Sequence, residues 1–483
     1  MITPPIVEAA RRHPARPALI EGDRTLNYAQ LLASAAGAAH ALGAAGARAG
    51  EPVAVWAPNS LDWAIAMHGA SWLGAPLLPL PPRWTDAEAA SLLERLKPRL
   101  VVGDAEGARR AAALGHRAMS FEALALPATG SLPAGWPEAH PVAMVPTSGT
   151  TGRPKAARVS WGQLETNARG VGEVLALGPE DRWWLAMPFH HVGGLAGLWR
   201  CARFGAAAVI AGRFDPARAL DEFETHGVTV ASVVPTMLQA IEEARGDRPW
   251  PPCLRALMLG GAAAPPGLVA RVPLALPTYG LTEAGSTVTL VPPGADEATR
   301  LTSGWPIPGA KVRIEDEAGR PLPPGAEGLV AVAGPMVTSG YEGDAAASEA
   351  ALRDGWLLTG DHGRIDAAGR LTVLSRRADM IVSGGENLYP AEIEAALLAH
   401  PAIAACAVVP TSDAHWGQTP FAWLVLREPV SPEDLASWLT GRLARFKQPR
   451  RWGVLETLPL LSNGKIDRQA LTRLAAQGEF ELH

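Results

Sequence analysis

The sequence predicts an α/β protein: a large N-terminal domain of two βα-layered subdomains plus a small β-barrel-like unit, and then a small α+β C-terminal domain. Three observations carry this expectation. Short apolar runs alternate with helical stretches up to about residue 260, as in parallel sheets covered by helices. Beyond about residue 291 the chain changes to short β segments cut by Gly and Pro turns. A length of 483 residues exceeds what a single core supports.

Taken in order, residues 6–12 read as a short helix and 17–21 as a strand turned by Gly22-Asp23. Helical periodicity over 26–42 meets a stop at Gly43. A strand at 53–57, a helix at 60–73, a strand at 77–80, a helix at 87–96 and a strand at 100–102 make a first parallel layer. After a short strand at 156–159, a second set follows: helix 164–177, strand 182–186, helix 192–203, strand 206–210, helix 216–225, strand 228–234, helix 235–243 and strand 254–259. Segments 311–315, 328–332, 356–359 and 370–374 suit an antiparallel unit. From residue 379 helix and strand mix again, with a helix at 391–400, strands at 403–410 and 421–426, and a helix at 431–443 whose Ser-Pro-Glu-Asp start suits N-capping.

Composition narrows the function. Hydrophobic residues are 48% and charged residues 19%, the balance of a globular chain. A net charge of -5 without basic runs argues against a nucleic-acid binder. The three cysteines, Cys201, Cys253 and Cys406, lack metal or disulfide spacing and read as buried thiols of a reducing compartment. No signal architecture and no apolar run of about 20 residues is evident, so the expectation is a cytoplasmic protein without membrane insertion.

Several stretches could carry chemistry. Thr147, Ser148, Gly149, Thr150, Thr151, Gly152 and Lys155 combine hydroxyls, tight-turn glycines and a cation in one run. Exposed backbone N–H groups in such a turn form an anion nest, which suits a polyphosphate; an ordinary solvated loop is the plain alternative. In Thr278-Tyr-Gly-Leu-Thr-Glu283, Gly280 suits a tight turn at a strand end, where open α/β sheets place ligands. Thr282 and Glu283 offer hard oxygens for Mg²⁺, and Tyr279 offers a flat ring. His190 and His191 precede a helix opened by Gly193-Gly194; adjacent histidines cannot share a helical face as metal ligands do, so they suit the gate of an apolar pocket or a packed core. Asp361 follows a Gly turn and could accept ribose hydroxyls, or be a turn Asp. Gly384-Gly385 lie where the β unit gives way to the last domain, and Lys465 sits on an exposed-looking turn.

The ordered set at 147–155, 279–283, 359–361 and 384–390 resembles the adenylate-forming enzymes: acyl- and aryl-CoA ligases, firefly luciferase and peptide-synthetase adenylation domains. The resemblance covers essentially the whole chain. It implies that the 147–155 loop wraps the β and γ phosphates of ATP, that Gly260, Gly261, Ala262 and Tyr279 border the adenine, and that Thr282 touches phosphate while Glu283 holds Mg²⁺. Asp361 and Arg376 would bind the ribose, and Lys465 the α-phosphate and acyl oxygens. It also implies two domains, 1–377 and a mobile 378–483, with the pivot at Ala378, where many relatives carry Asp or Lys. His190, His191, Gly193, Gly384 and Gly385 would line the acyl pocket and the thiol tunnel for coenzyme A.

Within that family, Pro-Phe-His-His-Val-Gly-Gly-Leu at 188–195 and the 383–394 run make the chain most similar to the o-succinylbenzoate–CoA ligases of menaquinone synthesis. A dicarboxylate needs a second anion site, and Arg200 is the candidate, an exposed helix arginine being the alternative. The expected partners are a small-molecule acid, ATP and coenzyme A, with a homodimer left open. The rivals are another aryl- or medium-chain acyl-CoA ligase, an enzyme that loads a carrier protein, and a non-catalytic relative that binds nucleotide or acyl ligand.

Overall fold

Three parallel strands of the first hundred or so residues are too apolar to alternate. Val53–Trp56, Leu77–Leu80 and Leu100–Gly103 are buried at every position, because helices cover both faces of their sheet. The computed structural model describes residues 1–124, 133, 135–147, 155–262, 264–376, 379–383, 386–413, 416–440, 442–443, 445–461 and 464–477.

The first sheet runs Ala118–Ser120, Leu100–Gly103, Val53–Trp56, Leu77–Leu80, Pro141–Thr147, Lys155–Ser160. It is parallel except for its last pair. A nine-stranded sheet orders Trp305–Pro306, Ser286–Leu290, Ala275–Leu281, Ala256–Leu259, Val230–Val233, Arg182–Leu185, Ala207–Ile210, Pro17–Glu21 and Arg24–Asn27. Its interior is parallel, and antiparallel strands close both edges. The strand at Pro17–Glu21 therefore belongs to the second layer, although it precedes the first in sequence.

An antiparallel half-barrel follows, built from Lys311–Glu315, Glu327–Ala333, Trp356–Ile365, Leu352–Arg353 and Leu371–Arg376. The last unit sets Glu386–Leu388, Ile381–Ser383, Gly417–Leu426, Ile403–Asp413 and Arg451–Val454 in one sheet. Two core clusters, from Ile381 to Ala475, belong to it alone.

Alanine and glycine enrichment becomes close helix packing: a Cβ on Gly69 of Leu61–Leu73 would lie 2.6 Å from the Ala38 Cβ of Tyr28–Ala44. Some boundaries differ from expectation. The helix expected at 26–42 begins at Tyr28, where Asn27 and Gln30 form a capping box, and it passes through Gly43 to Ala44. Its expected first residues instead pair as Arg24–Asn27 with Pro17–Glu21. The helix expected at 431–443 ends at Leu439. The helices Ala105–Ala113 and Arg468–Gln477 were not anticipated. Cys253 is exposed, while Cys201 and Cys406 are buried as expected.

His68, in Leu61–Leu73, is 2% exposed, and burial pushes its imidazole from 6.5 down to about 3. The unfolded chain protonates this ring first. Its stabilising contribution is complete above pH 6.5 and is withdrawn as the pH falls toward 3. Wild type should therefore lose about 2 kcal/mol more between pH 7.5 and about pH 5 than His68→Gln loses. Urea midpoints of the N-terminal transition at the two pH values measure the difference; parallel losses would refute it.

Candidate active site

Two neighbouring parallel strands end at the same place. Ala256–Leu259 runs into Gly260, Gly261 and Ala262, with Gly261 at φ +85°. Ala275–Leu281 runs into the 3-10 turn Thr282–Ala284, and Gly285 at φ 67° returns the chain as Ser286–Leu290. Carboxyl ends of parallel strands are where an open sheet accepts a ligand.

Gly280 does not make the turn. It lies inside its strand, where a Cβ would sit 1.8 Å from the Ser286 carbonyl oxygen, so the residue is needed for close approach. Nor does Asp361 end a strand: it lies within Trp356–Ile365, after Gly360 at φ 75°. Tyr279 Oη donates to Asp361 Oδ2 at 2.6 Å, and Arg376 is the cross-strand partner of Asp361. An aromatic ring and a carboxylate thus meet on one wall, as a nucleoside requires.

Thr147 and Lys155 are paired in antiparallel register at the mouth of the first sheet. Ser148, Gly149, Thr150, Thr151 and Gly152 between them lie outside the described residues, as do Ala378, Gly384 and Gly385; the Arg376 side chain is likewise outside. Lys155 Nζ stands 5.2 Å from the centroid of the Tyr341 ring, and Tyr341 Oη donates to Glu283 Oε1 at 2.8 Å. Sequence reasoning missed Tyr341. Its one signal was scarcity: the chain has four tyrosines, and two of them donate to the carboxylates of this site. Glu283 with the neighbouring Thr282 hydroxyl is a donor set that fits Mg²⁺, which takes one or two carboxylates and fills its remaining positions with phosphate oxygens and water.

Lys465 arrives from the last unit. A Cβ placed on Gly261 would lie 3.2 Å from its Cε and 3.9 Å from its Nζ. The turn that carries it is tied to the larger part of the chain: Thr236 Oγ1 donates to the Gly464 carbonyl at 3.1 Å. Burial, and then the charge of Lys465, hold the His191 imidazole down at about 4. His190 packs on His191 with ring centroids 4.4 Å apart and is also pushed well down by burial. His191 is thus the histidine within the field of Lys465, and both rings are neutral at pH 7. Asn59 braces the approach, donating to the Met187 carbonyl at 2.9 Å and accepting from Phe189 N–H at 2.7 Å. Of the following glycines, Gly194 is sterically required, since a Cβ there would lie 2.4 Å from the Pro188 carbonyl oxygen; one on Gly193 would meet only Met187 Cε, at 3.8 Å.

Arg200 is not an exposed helix arginine. It is 2% exposed, and its Nη2 donates to Asn167 Oδ1 at 2.6 Å and to the hydroxyls of Ser286 and Thr287 at 3.2 Å each. Its Nε has no partner, and no carboxylate among the described residues pairs with it. Burial lowers its ionisation to about 10, so it remains charged. Ser286 and Thr287 open the strand that follows the Thr282–Ala284 turn.

The chain matches the AMP-binding enzyme family over residues 6–342 and the AMP-binding enzyme C-terminal domain over 392–465. The 2-succinylbenzoate–CoA ligase of Bacillus licheniformis is 34% identical over 479 residues, 96% of this chain and 98% of that one. The solved o-succinylbenzoate CoA synthetase of Bacillus subtilis, in complex with its acyl-adenylate intermediate, has a TM-score of 0.90 at 31% identity and covers 97% of this chain and 98% of that one. The same synthetase with ATP and magnesium ion gives 0.89 at 31% identity, covering 97% and 99%. A double mutant of it bound with a product analogue gives 0.75 at the same identity, covering 97% and 98%.

Gly280→Ala should lower stability by about 1–3 kcal/mol and displace Thr282 and Glu283. Thermal melting and pyrophosphate release test this together: an alanine variant with unchanged melting and rate would contradict the close-approach argument.

Proposed function

The chain belongs to the AMP-binding enzyme family as an AMP-forming acid–thiol ligase, and from that premise we propose that it joins 2-succinylbenzoate to coenzyme A, the step that serves menaquinone synthesis. The observation that carries the choice of acid is Arg200. A buried guanidinium without a carboxylate partner is costly unless an anion joins it. A substrate with one carboxylate to react and a second to bind supplies that anion. Similarity to the Bacillus ligases supports the same reading.

In the first half-reaction an oxygen of the reacting carboxylate attacks the α-phosphorus of ATP. The bond from that phosphorus to the bridging oxygen breaks, and pyrophosphate leaves. Lys465 stabilises the charge that grows on the phosphoryl and acyl oxygens, while the 147–155 loop orients the departing phosphates. Tyr279 flanks the adenine beside Gly260–Ala262, and Asp361 with Arg376 takes the ribose hydroxyls. Glu283 and Thr282 would hold Mg²⁺, which when bound neutralises part of the triphosphate charge. In the second half the thiolate of coenzyme A attacks the acyl carbon and AMP leaves with the bonding pair. Neutral His190 and His191 add no positive charge beside Lys465.

Residues 1–377 would form the adenylating domain and 378–483 a mobile one, pivoting at Ala378. Gly384 and Gly385 would then shape the thiol tunnel in the second half. The placement of Lys465 beside Gly261 corresponds to the first half.

Two experiments test this. Arg200→Ala should raise KM for 2-succinylbenzoate about tenfold or more beyond any change in KM for benzoate, the scale of one lost charge-assisted contact. An equal effect on both acids would refute the second-anion role, and failure to form AMP from 2-succinylbenzoate while another acid reacts would replace the substrate. Lys465→Ala should abolish acyl-adenylate formation yet spare transfer from supplied acyl-AMP to coenzyme A; equal loss of both halves would overturn the two-position account.

A further inference from the structure

A single tyrosine stands between the two oppositely charged groups that border the triphosphate site. We propose that Tyr341 is a positioning residue coupling the phosphate loop to the metal-binding carboxylate: its hydroxyl occupies one oxygen of Glu283, leaving the second for the cation, while its ring seats the Lys155 ammonium. This rests on the assignment of Glu283 to Mg²⁺ and of Lys155 to the triphosphate.

The hydrogen bond from Tyr341 Oη to Glu283 Oε1 is 2.8 Å, and the Lys155 ammonium lies 5.2 Å from the ring centroid, within cation–π range. No ion pair joins Lys155 to Glu283 among the described residues. A direct pair would cancel both charges before ligand arrived. The tyrosine gives the carboxylate a neutral donor and the ammonium a π face, so each is held in place with its charge intact.

The backbone that carries the ring is fixed on both sides. Thr338 N–H donates to the Glu283 carbonyl at 2.7 Å, and Thr338 Oγ1 to the Arg158 carbonyl at 2.7 Å. Arg158 N–H donates to the Gly340 carbonyl at 3.0 Å, and Glu342 N–H to the Ala156 carbonyl at 2.8 Å. Arg158 and Glu342 add an ion pair at 2.6 Å. Tyr341 N–H donates to Ser348 Oγ at 2.8 Å, and Gly340, at φ +126°, lies where a Cβ would be 2.5 Å from that same oxygen. Residues 338–342 therefore form a strap between the strand Lys155–Ser160 and the turn Thr282–Ala284. A shift of either end is transmitted to the other through the ring.

The test titrates Mn²⁺ into enzyme saturated with α,β-methylene-ATP, reading free Mn²⁺ by electron paramagnetic resonance. Affinity for the metal-free nucleotide is measured by calorimetry in chelator. Tyr341→Phe keeps the ring and should weaken Mn²⁺ about tenfold, the effect of removing an outer-shell partner from a metal ligand, with metal-free nucleotide binding and melting temperature unchanged. Tyr341→Leu should in addition weaken the metal-free nucleotide, because Lys155 loses its seat. Tyr341→Phe binding Mn²⁺ as tightly as wild type while Glu283→Gln binds it weakly would overturn the proposal alone. Glu283→Gln binding Mn²⁺ as wild type would overturn the metal assignment beneath it.

Discussion

The site depends on one lysine being delivered from a separately cored unit to the end of a parallel strand. Gly261 at φ +85° leaves room for the Lys465 stem, and Thr236 ties down the turn that presents it. The surroundings answer to that charge. The two adjacent histidines are uncharged, so neither ring sets a second cation beside the ammonium.

Hydroxyl and ring partners recur across the site. Asp361 receives a tyrosine hydroxyl, as Glu283 does, and Lys155 faces an aromatic ring. Elsewhere on the chain, charges pair directly: Arg255 with Asp181, and Arg245 with Glu242. Among the described residues Glu283 and Lys155 instead meet neutral partners, a hydroxyl and a ring. Paired charges neutralise one another locally, whereas hydroxyl and π partners orient a charge without removing it.

How far the chain was legible follows from what is local. The helix Pro216–Thr225 and the strand Lys311–Glu315 lie where their own signals place them: an Asp-Pro start for the first, a short β run between turns for the second. Glu283, Asp361 and Lys465 stand out in the sequence because each sits in a compact run of Gly and polar residues. Boundaries failed where a distant partner decided. Leu26 pairs with Leu19, so residues 26 and 27 leave the helix that their periodicity favours and end the strand Arg24–Asn27. Gly280 looked like a turn because glycine serves turns and close approaches alike; only the position of the Ser286 carbonyl distinguishes them. Tyr341 and Asn167 carry no local signal at all. Tyr341 reaches the site because the strap pairs with the phosphate-loop strand, a contact sealed by residues 184 positions apart.

Under the proposed function Arg200 has two tasks that reinforce one another. Ser286 lies at φ 123°, a left-handed conformation that costs a serine about 1–3 kcal/mol and persists only where its surroundings impose it. Gly280 imposes it from one side by admitting the Ser286 carbonyl at close range, and Arg200 from the other by holding the Ser286 and Thr287 hydroxyls. That bend turns the chain back immediately after Glu283. A guanidinium that bound only substrate would leave the bend unsupported in the empty enzyme. One that only supported the bend would not need to keep its charge uncompensated in the interior, since a neutral donor suffices for hydroxyls. Its burial without a carboxylate among the described residues, together with its grip on Ser286, would under the proposed function put recognition of the acid and the geometry of the turn on one side chain.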